Sequence, residues 1–149
     1  MIKISEAGRE YQNDIVDFQL KMAKETENLL LDKHTVAKGV DAVFDDPAKG
    51  RYYIAENNGQ AIASLLTTYE WSDWRNGKVI WLQSVFVIPE FRRKGIFRQM
   101  YSYIKNYVEQ TENLCGIRLY VDKTNEKAQK VYENIGMDGN HYRLFEDML

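Results

Sequence analysis

Apolar and polar positions change their period several times along the chain, and each change marks an element. Ile2-Lys3-Ile4-Ser5 alternates with period two, as a half-buried strand does. From about residue 9 to residue 28 the period lengthens, and Tyr11, Ile15, Phe18 and Met22 fall on one helical face. A second helix is expected over residues 33–44, with Val36, Val40, Val43 and Phe44 inward and Asp45-Asp46-Pro47 stopping it. Strand patterns at 52–55 and 61–68 then flank Asn57-Asn58-Gly59-Gln60, where Asn58-Gly59 predicts a type I′ hairpin because both central residues tolerate positive φ. Asn76-Gly77 marks a second turn and introduces a strand over 78–88. Phe97, Met100, Tyr101, Ile104 and Val108 form a single apolar helical stripe, with Phe97 turned into the core as its first member. A strand over 117–121, a helix from Asn125 and a last, edge-paired strand at Tyr142-Arg143-Leu144-Phe145 complete the order β-α-α-β-β-β-α-β-α-β.

Chemistry concentrates where the strand ending in Val85-Phe86-Val87-Ile88-Pro89 hands over to the striped helix, at Arg92-Arg93-Lys94-Gly95-Ile96. Glycine lets a backbone approach a ligand closely, a helix start offers N–H groups and a positive dipole end, and the arginines add full charges. Such a loop suits a ligand that carries a pyrophosphate. A short basic cluster is equally compatible with a solvated loop, so the cluster alone leaves both readings open.

About thirty residues downstream, Asn125-x-x-Ala128-x-x-x-Tyr132-x-x-x-Gly136 places Asn125, Ala128, Tyr132 and Ile135 on one helical face. With this second motif the chain resembles the GNAT superfamily of acyl-CoA-dependent N-acyltransferases. In that family a strand runs into Arg/Gln-x-x-Gly-x-Gly/Ala and a helix; a later strand runs into Asn-x-x-Ala-x-x-x-Tyr, then Gly and a large apolar residue. Arg92 to Phe97 matches the first motif except at its last position, where Phe97 replaces a small residue, and Asn125 to Met137 matches the second throughout. The resemblance covers residues 79–137 well and the N-terminal half in its order of elements.

It implies a mixed, twisted sheet of about six to seven strands with helices on both faces, an α/β (α+β) fold, and acetyl-CoA as co-substrate. The strands at 78–88 and 117–121 would splay apart around the pantetheine arm. Val85, Phe86 and Val87 would offer backbone groups to the arm and to a tetrahedral oxyanion. Arg92, Arg93, Lys94 and the backbone of Gly95, Ile96, Phe97 and Arg98 would hold the pyrophosphate, and Asn125 would reach the arm's amides. Asn125 is also a favourable N-cap for purely local reasons. Tyr132 corresponds to the family's general acid, which protonates the departing thiolate; without the motif it would read as a core tyrosine.

The general base is not supplied at the family's usual strand position, where this chain has Gln83, an amide that accepts no proton at neutral pH. Glu70, at the end of the preceding strand, is the best carboxylate available, with a solvated loop residue as its plain alternative. Glu25 and Glu27 after the first helix, and Trp71 and Asp73 in the acidic, aromatic stretch Glu70-Trp71-Ser72-Asp73-Trp74-Arg75, are the candidate acceptor contacts together with Gln83. Carboxylates and indole faces suit a small cationic amine or an amino-acid-like acceptor. The exposed tryptophans suit a homodimer contact equally well.

Composition narrows the classes further. With 149 residues, 44% of them hydrophobic, and with no repeat or linker, one domain over 1–149 is expected. A formal charge of −2 with one local basic cluster argues against nucleic acid as a partner. Cys115 is the only cysteine and reads as a small buried hydrophobe; with His34 and His141 as the only histidines, no metal site is expected. The sequence contains no apolar run of membrane or signal length, so no membrane partner and a cytoplasmic location are expected. The expected activity is N-acetylation of a primary amine. Its alternatives are a protein lysine or N-terminal acetyltransferase and a non-catalytic acyl-CoA sensor, for which Gln83 speaks.

Overall fold

Five strands take up the alternating stretches. In the computed structural model, which describes residues 1–149, they are β1 (Ile2–Glu6), β2 (Arg51–Asn57), β3 (Gln60–Ser72), β4 (Gly77–Val87) and β5 (Leu114–Arg118). They form one sheet in chain order, antiparallel from β1 to β4, with β5 parallel to β4. The helices are α1 (Gln12–Glu27), α2 (Lys33–Asp45), α3 (Ile96–Gln110) and α4 (Glu126–Asn134). The chain falls into two units, Met1–Arg118, which contains the whole sheet with α1, α2 and α3, and Leu119–Leu149, which contains α4 and the tail.

The turns follow local chemistry. Asn58 (φ 51°) and Gly59 (φ 80°) both adopt positive φ, the type I′ geometry that matches strand twist. At the second turn only Asn76 does (φ 49°); Gly77 already belongs to β4, so that hairpin closes through a four-residue turn. α2 is capped as its sequence allows, Asp32 accepting from the Thr35 N–H at 3.0 Å.

Helices cover both faces of the sheet, as adjacent residues of β2 demonstrate. Successive strand side chains point to opposite faces. Tyr52 packs on Phe44 of α2 with ring centroids 5.6 Å apart, and Tyr53 on Tyr103 of α3 at 6.0 Å. The α1/α2 side buries Ile15, Val16, Phe18, Val40, Ile54 and Phe86 together. On the α3 side Ile96, Met100, Tyr101, Ile104 and Val108 are buried. Ile54 is 0% exposed in the middle of β2, so Ile54→Ala is expected to destabilise the fold by about 2–5 kcal/mol, read from the midpoint of urea unfolding.

Four expectations need correction. The sheet has five strands rather than six to seven, because Tyr142-Arg143-Leu144-Phe145 forms no ladder. Tyr142, Leu144 and Phe145 are 70%, 53% and 89% exposed, and a four-residue alternation without cross-strand pairs has nothing to hold it extended. β5 ends at Arg118 instead of reaching residue 121. Ile96, not Phe97, leads the buried stripe of α3, since Ile96, Met100, Ile104 and Val108 recur every four residues. The half-buried Phe97 lies beside that stripe, its ring 6.3 Å from Tyr101. Cys115 is exposed rather than buried, because β5 is an edge strand with one flank uncovered; its thiol donates to the Lys78 carbonyl of β4 at 3.2 Å.

Candidate active site

The end of β4 is built to leave its backbone open on one side. Its parallel ladder with β5 runs from Lys78↔Leu114 to Trp81↔Arg118 and stops, while β4 continues to Val87. On the other side, Ser64 pairs with Phe86 but Leu66 with Gln83, so β4 holds one extra residue there. Ser84 absorbs it at φ 54°, a bulge that re-aims the strand beyond it. Beyond the bulge the Ile88 N–H donates to Ile62 of β3 at 2.9 Å. Because antiparallel strands alternate the direction of their backbone groups, Phe86 also turns toward β3 and Val87 turns away, toward the side β5 has left. Of the three residues expected to serve a pantetheine arm, Val87 therefore presents its N–H to the open side. Phe86 spends its backbone on the sheet and its ring on the core, 5.2 Å from Phe18.

The loop that follows completes an anion cradle. Pro89 opens a single 3-10 turn, and Gly95 (φ 75°) caps α3 in the left-handed region with no atom within 4 Å of where a Cβ would stand. Arg93 shares that backbone conformation at φ 62°. The first bond of α3 runs from the Gln99 N–H to the Gly95 carbonyl at 3.1 Å, so the N–H groups of the first turn point out of the helix end. Arg93, Lys94, Gly95 and Arg98 are exposed around it, Lys94 resting over the Phe91 ring at 5.1 Å. Open space at a left-handed glycine, outward N–H groups and three exposed cations fit a pyrophosphate.

Arg92, expected in that cradle, is committed elsewhere. Its Nη atoms donate to both carboxylate oxygens of Glu25 on α1 at 2.5 and 2.9 Å, and its Nε to the Val87 carbonyl at 2.8 Å. The guanidinium lies 5.4 Å from the Phe86 ring centre. Arg92 holds the Glu25 carboxyl below its ordinary value. Glu25, expected to meet an acceptor, is thus joined to the loop instead, and Glu27 stands exposed at the end of α1.

Glu70 and Trp71, expected to share one pocket, project from opposite faces of β3 because they are neighbours on a strand. Glu70 accepts from Arg118 on both carboxylate oxygens at 2.9 Å and from the Trp81 indole at 2.8 Å. Arg118 first and Trp81 second hold its pKa below the ordinary carboxylate value. Gln83 donates to the Thr68 hydroxyl at 2.6 Å. Trp71 instead joins Arg51, Tyr69 and Lys78 around a shallow cavity of about 490 Å³. Asp73 lies in the turn, where it accepts from the Trp74 N–H at 3.0 Å. For Glu25 and Glu70 the ionised form gains in the folded state, so this contribution to stability is present above about 4.5 and lost as pH falls through their lowered values.

In the second unit Asn125 caps α4, its side-chain oxygen accepting from the Ala128 N–H at 3.1 Å, which leaves its amide NH₂ for another partner. Tyr132, two turns on, is half-buried, and burial pushes its hydroxyl above the usual 10, so it keeps its proton at neutral pH. Sequence reasoning missed Arg118, Trp81 and Thr68 as partners of the candidate residues. Their one signal, lying on neighbouring strands, is unreadable until register is known.

The sequence model described as acetyltransferase (GNAT) family matches residues 17–137. The Bacillus subtilis uncharacterized N-acetyltransferase YhfO is 30% identical over 95 residues, a match that spans 61% of this chain and 63% of that protein's length. A crystal structure of a "possible acetyltransferase" from Clostridium difficile 630 is 42% identical, covers 100% of this chain and 98% of its own, and superposes with a TM-score of 0.92. The aminoglycoside N-acetyltransferase AAC(6')-Iy, in complex with a bisubstrate analog, shares the fold with a TM-score of 0.78 at 18% identity, covering 100% of this chain and 99% of its own.

Proposed function

Because the chain belongs to the acetyltransferase (GNAT) family, a family of enzymes that use acetyl-CoA, we propose that it transfers an acetyl group from acetyl-CoA to the primary amine of a small molecule. The observation that carries this reading is the juxtaposition, within one unit, of an open β4 edge at Val87 with the cradle at Arg93, Lys94 and Gly95. Val87 then serves the pantetheine arm and the oxyanion through its N–H, while Arg93, Lys94 and the first turn of α3 hold the pyrophosphate. Asn125, whose NH₂ the cap does not use, matches the family residue that serves the arm's amides. The amine attacks the thioester directly, a tetrahedral intermediate forms, and Tyr132 protonates the thiolate that leaves. A small cationic or amino-acid-like acceptor suits the polar shelf of Thr68, Glu70, Trp81 and Gln83 on the α1/α2 side of β3 and β4, and the bisubstrate complex of AAC(6')-Iy lends support for a small molecule.

Proton removal from the amine is the demanding step. An amine near 10.4 does not pass its proton directly to a carboxylate, since even the ordinary carboxylate value leaves a gap of about six units, roughly 8 kcal/mol, and Arg118 lowers Glu70 further. Glu70 therefore acts by orienting water that carries the proton away. Glu70→Gln is expected to lower kcat/KM most near neutral pH and less at alkaline pH, where more amine is already neutral. Glu70 itself stays ionised across that range, so this trend belongs to the amine. The same factor at every pH would make Glu70 a structural partner of Arg118. The test of the whole reading is acetyl-CoA consumption across a panel of diamines, amino acids and peptides; release of CoA with none of the small amines, but with peptide lysines or N-termini, would shift the acceptor to protein.

A further inference from the structure

The guanidinium of Arg92 is held at three places. Glu25 fixes its plane through two parallel bonds of 2.5 and 2.9 Å, its Nε reaches the Val87 carbonyl at 2.8 Å, and its face lies 5.4 Å from the Phe86 ring centre. Two of these partners belong to the strand that leads into Arg92's own loop. Glu25 alone comes from another element, 67 residues away on α1, and it alone carries charge.

Resting on the acetyl-CoA reading above, we infer that Glu25 is a positioning residue for the co-substrate: through Arg92 it fixes the Val87 peptide, and with it the open edge of β4 that the pantetheine arm follows. The physical reason is the geometry of the fork. A carbonyl and a ring face leave a guanidinium several rotamers, whereas a bidentate carboxylate sets its plane and so the direction in which Nε points. Without that bond the Val87 carbonyl would stand unpaired on the edge where the arm must pair. The released guanidinium would also turn toward the nearest anion, which with ligand bound is the pyrophosphate. Glu25 thus withholds one cation from the phosphates and uses it to brace the strand. A braced edge binds an extended arm more tightly because less ordering remains to be done on binding. A lysine at 92 could not replace the arginine, since one ammonium cannot grip both carboxylate oxygens and the carbonyl in fixed directions.

The brace predicts a selective loss that general weakening of the fold would not produce. Calorimetric titration would compare acetyl-CoA with 3′-phospho-ADP, the nucleotide part without the arm. Glu25→Gln is expected to weaken acetyl-CoA about tenfold and to leave the nucleotide unchanged or tighter, because only the arm uses the Val87 edge and Arg92 becomes free for the phosphates. The exchange Glu25→Arg with Arg92→Glu restores an ion pair, so it should regain the melting temperature lost in Glu25→Gln. It should not regain acetyl-CoA affinity, since a carboxylate at 92 has no proton for the Val87 carbonyl. If the exchanged protein does not fold, Arg92→Lys takes its place, with the same arm-selective loss expected. Equal losses for both ligands, no loss for either, or recovery of acetyl-CoA affinity in the exchanged protein would overturn the inference. Wild-type protein that binds neither ligand would instead overturn the acetyl-CoA reading, and this inference with it.

Discussion

Tyr132→Phe is expected to slow acetyl transfer by about 10²-fold or more while leaving acetyl-CoA affinity nearly unchanged, the usual scale for losing a positioned acid. The substitution keeps the ring and removes only the hydroxyl, so the packing of α4 survives. Burial holds that hydroxyl above its ordinary 10, which keeps the proton in place at neutral pH. Because a thiol near 8.5 is the stronger acid, the transfer is uphill by itself; it helps only when coupled to C–S cleavage, where a proton shared with the hydroxyl spares the leaving sulfur its full negative charge. Single-turnover rates, measured with the amine found by the acceptor panel, separate this loss from slow product release. Equal rates in the two proteins would assign Tyr132 to packing.

Arg93→Glu combined with Gly95→Asp is expected to abolish acetyl-CoA binding in calorimetry, a loss of about 100-fold or more, since charge-assisted bonds contribute roughly 1.5–3 kcal/mol each. Both positions are exposed and both have positive φ, 62° and 75°. Acidic residues are accepted at helix starts, and Asp tolerates the left-handed conformation better than most, so α3 should persist. What changes is the sign of the charge where the pyrophosphate is to sit. Unchanged binding would remove the cradle from the reading. A circular-dichroism spectrum like that of the wild type is the accompanying control.

Features that depend on short stretches of chain were legible beforehand. Asn58-Gly59 forms its I′ turn because only those two residues decide the φ angles. The periods of α1, α2 and α3 were readable because each helix buries one stripe, although Ile96 rather than Phe97 leads the last of them. The cradle was readable for the same reason: glycine, cations and a helix start lie within five residues. Glu70 and Trp71 were misjudged as pocket mates because their closeness in sequence was taken for closeness of side chains, and a strand sends neighbours to opposite faces. The tail at 142–145 alternates like a strand, but alternation is a condition for pairing and does not supply a partner.

The amino-acid sequence by itself determined the family, the order of the first nine elements, the glycine-and-cation loop at the start of α3 and the cap of α4 at Asn125, because each is written in residues that are neighbours along the chain or along one helix. Only the tertiary structure decided what each charge does once the strands are in register. It paired Glu25 with Arg92 across 67 residues and Glu70 with Arg118 across 48, turning one expected acceptor contact, the expected base and one expected phosphate ligand toward partners within the protein. It also ended the β4–β5 ladder at Trp81 and Arg118, which leaves the backbone of Val87 open. A local pattern specifies how a segment folds, but a long side chain's partner depends on which distant segment is brought within 3 Å of it, and that is a property of the sheet's register and the helices' packing.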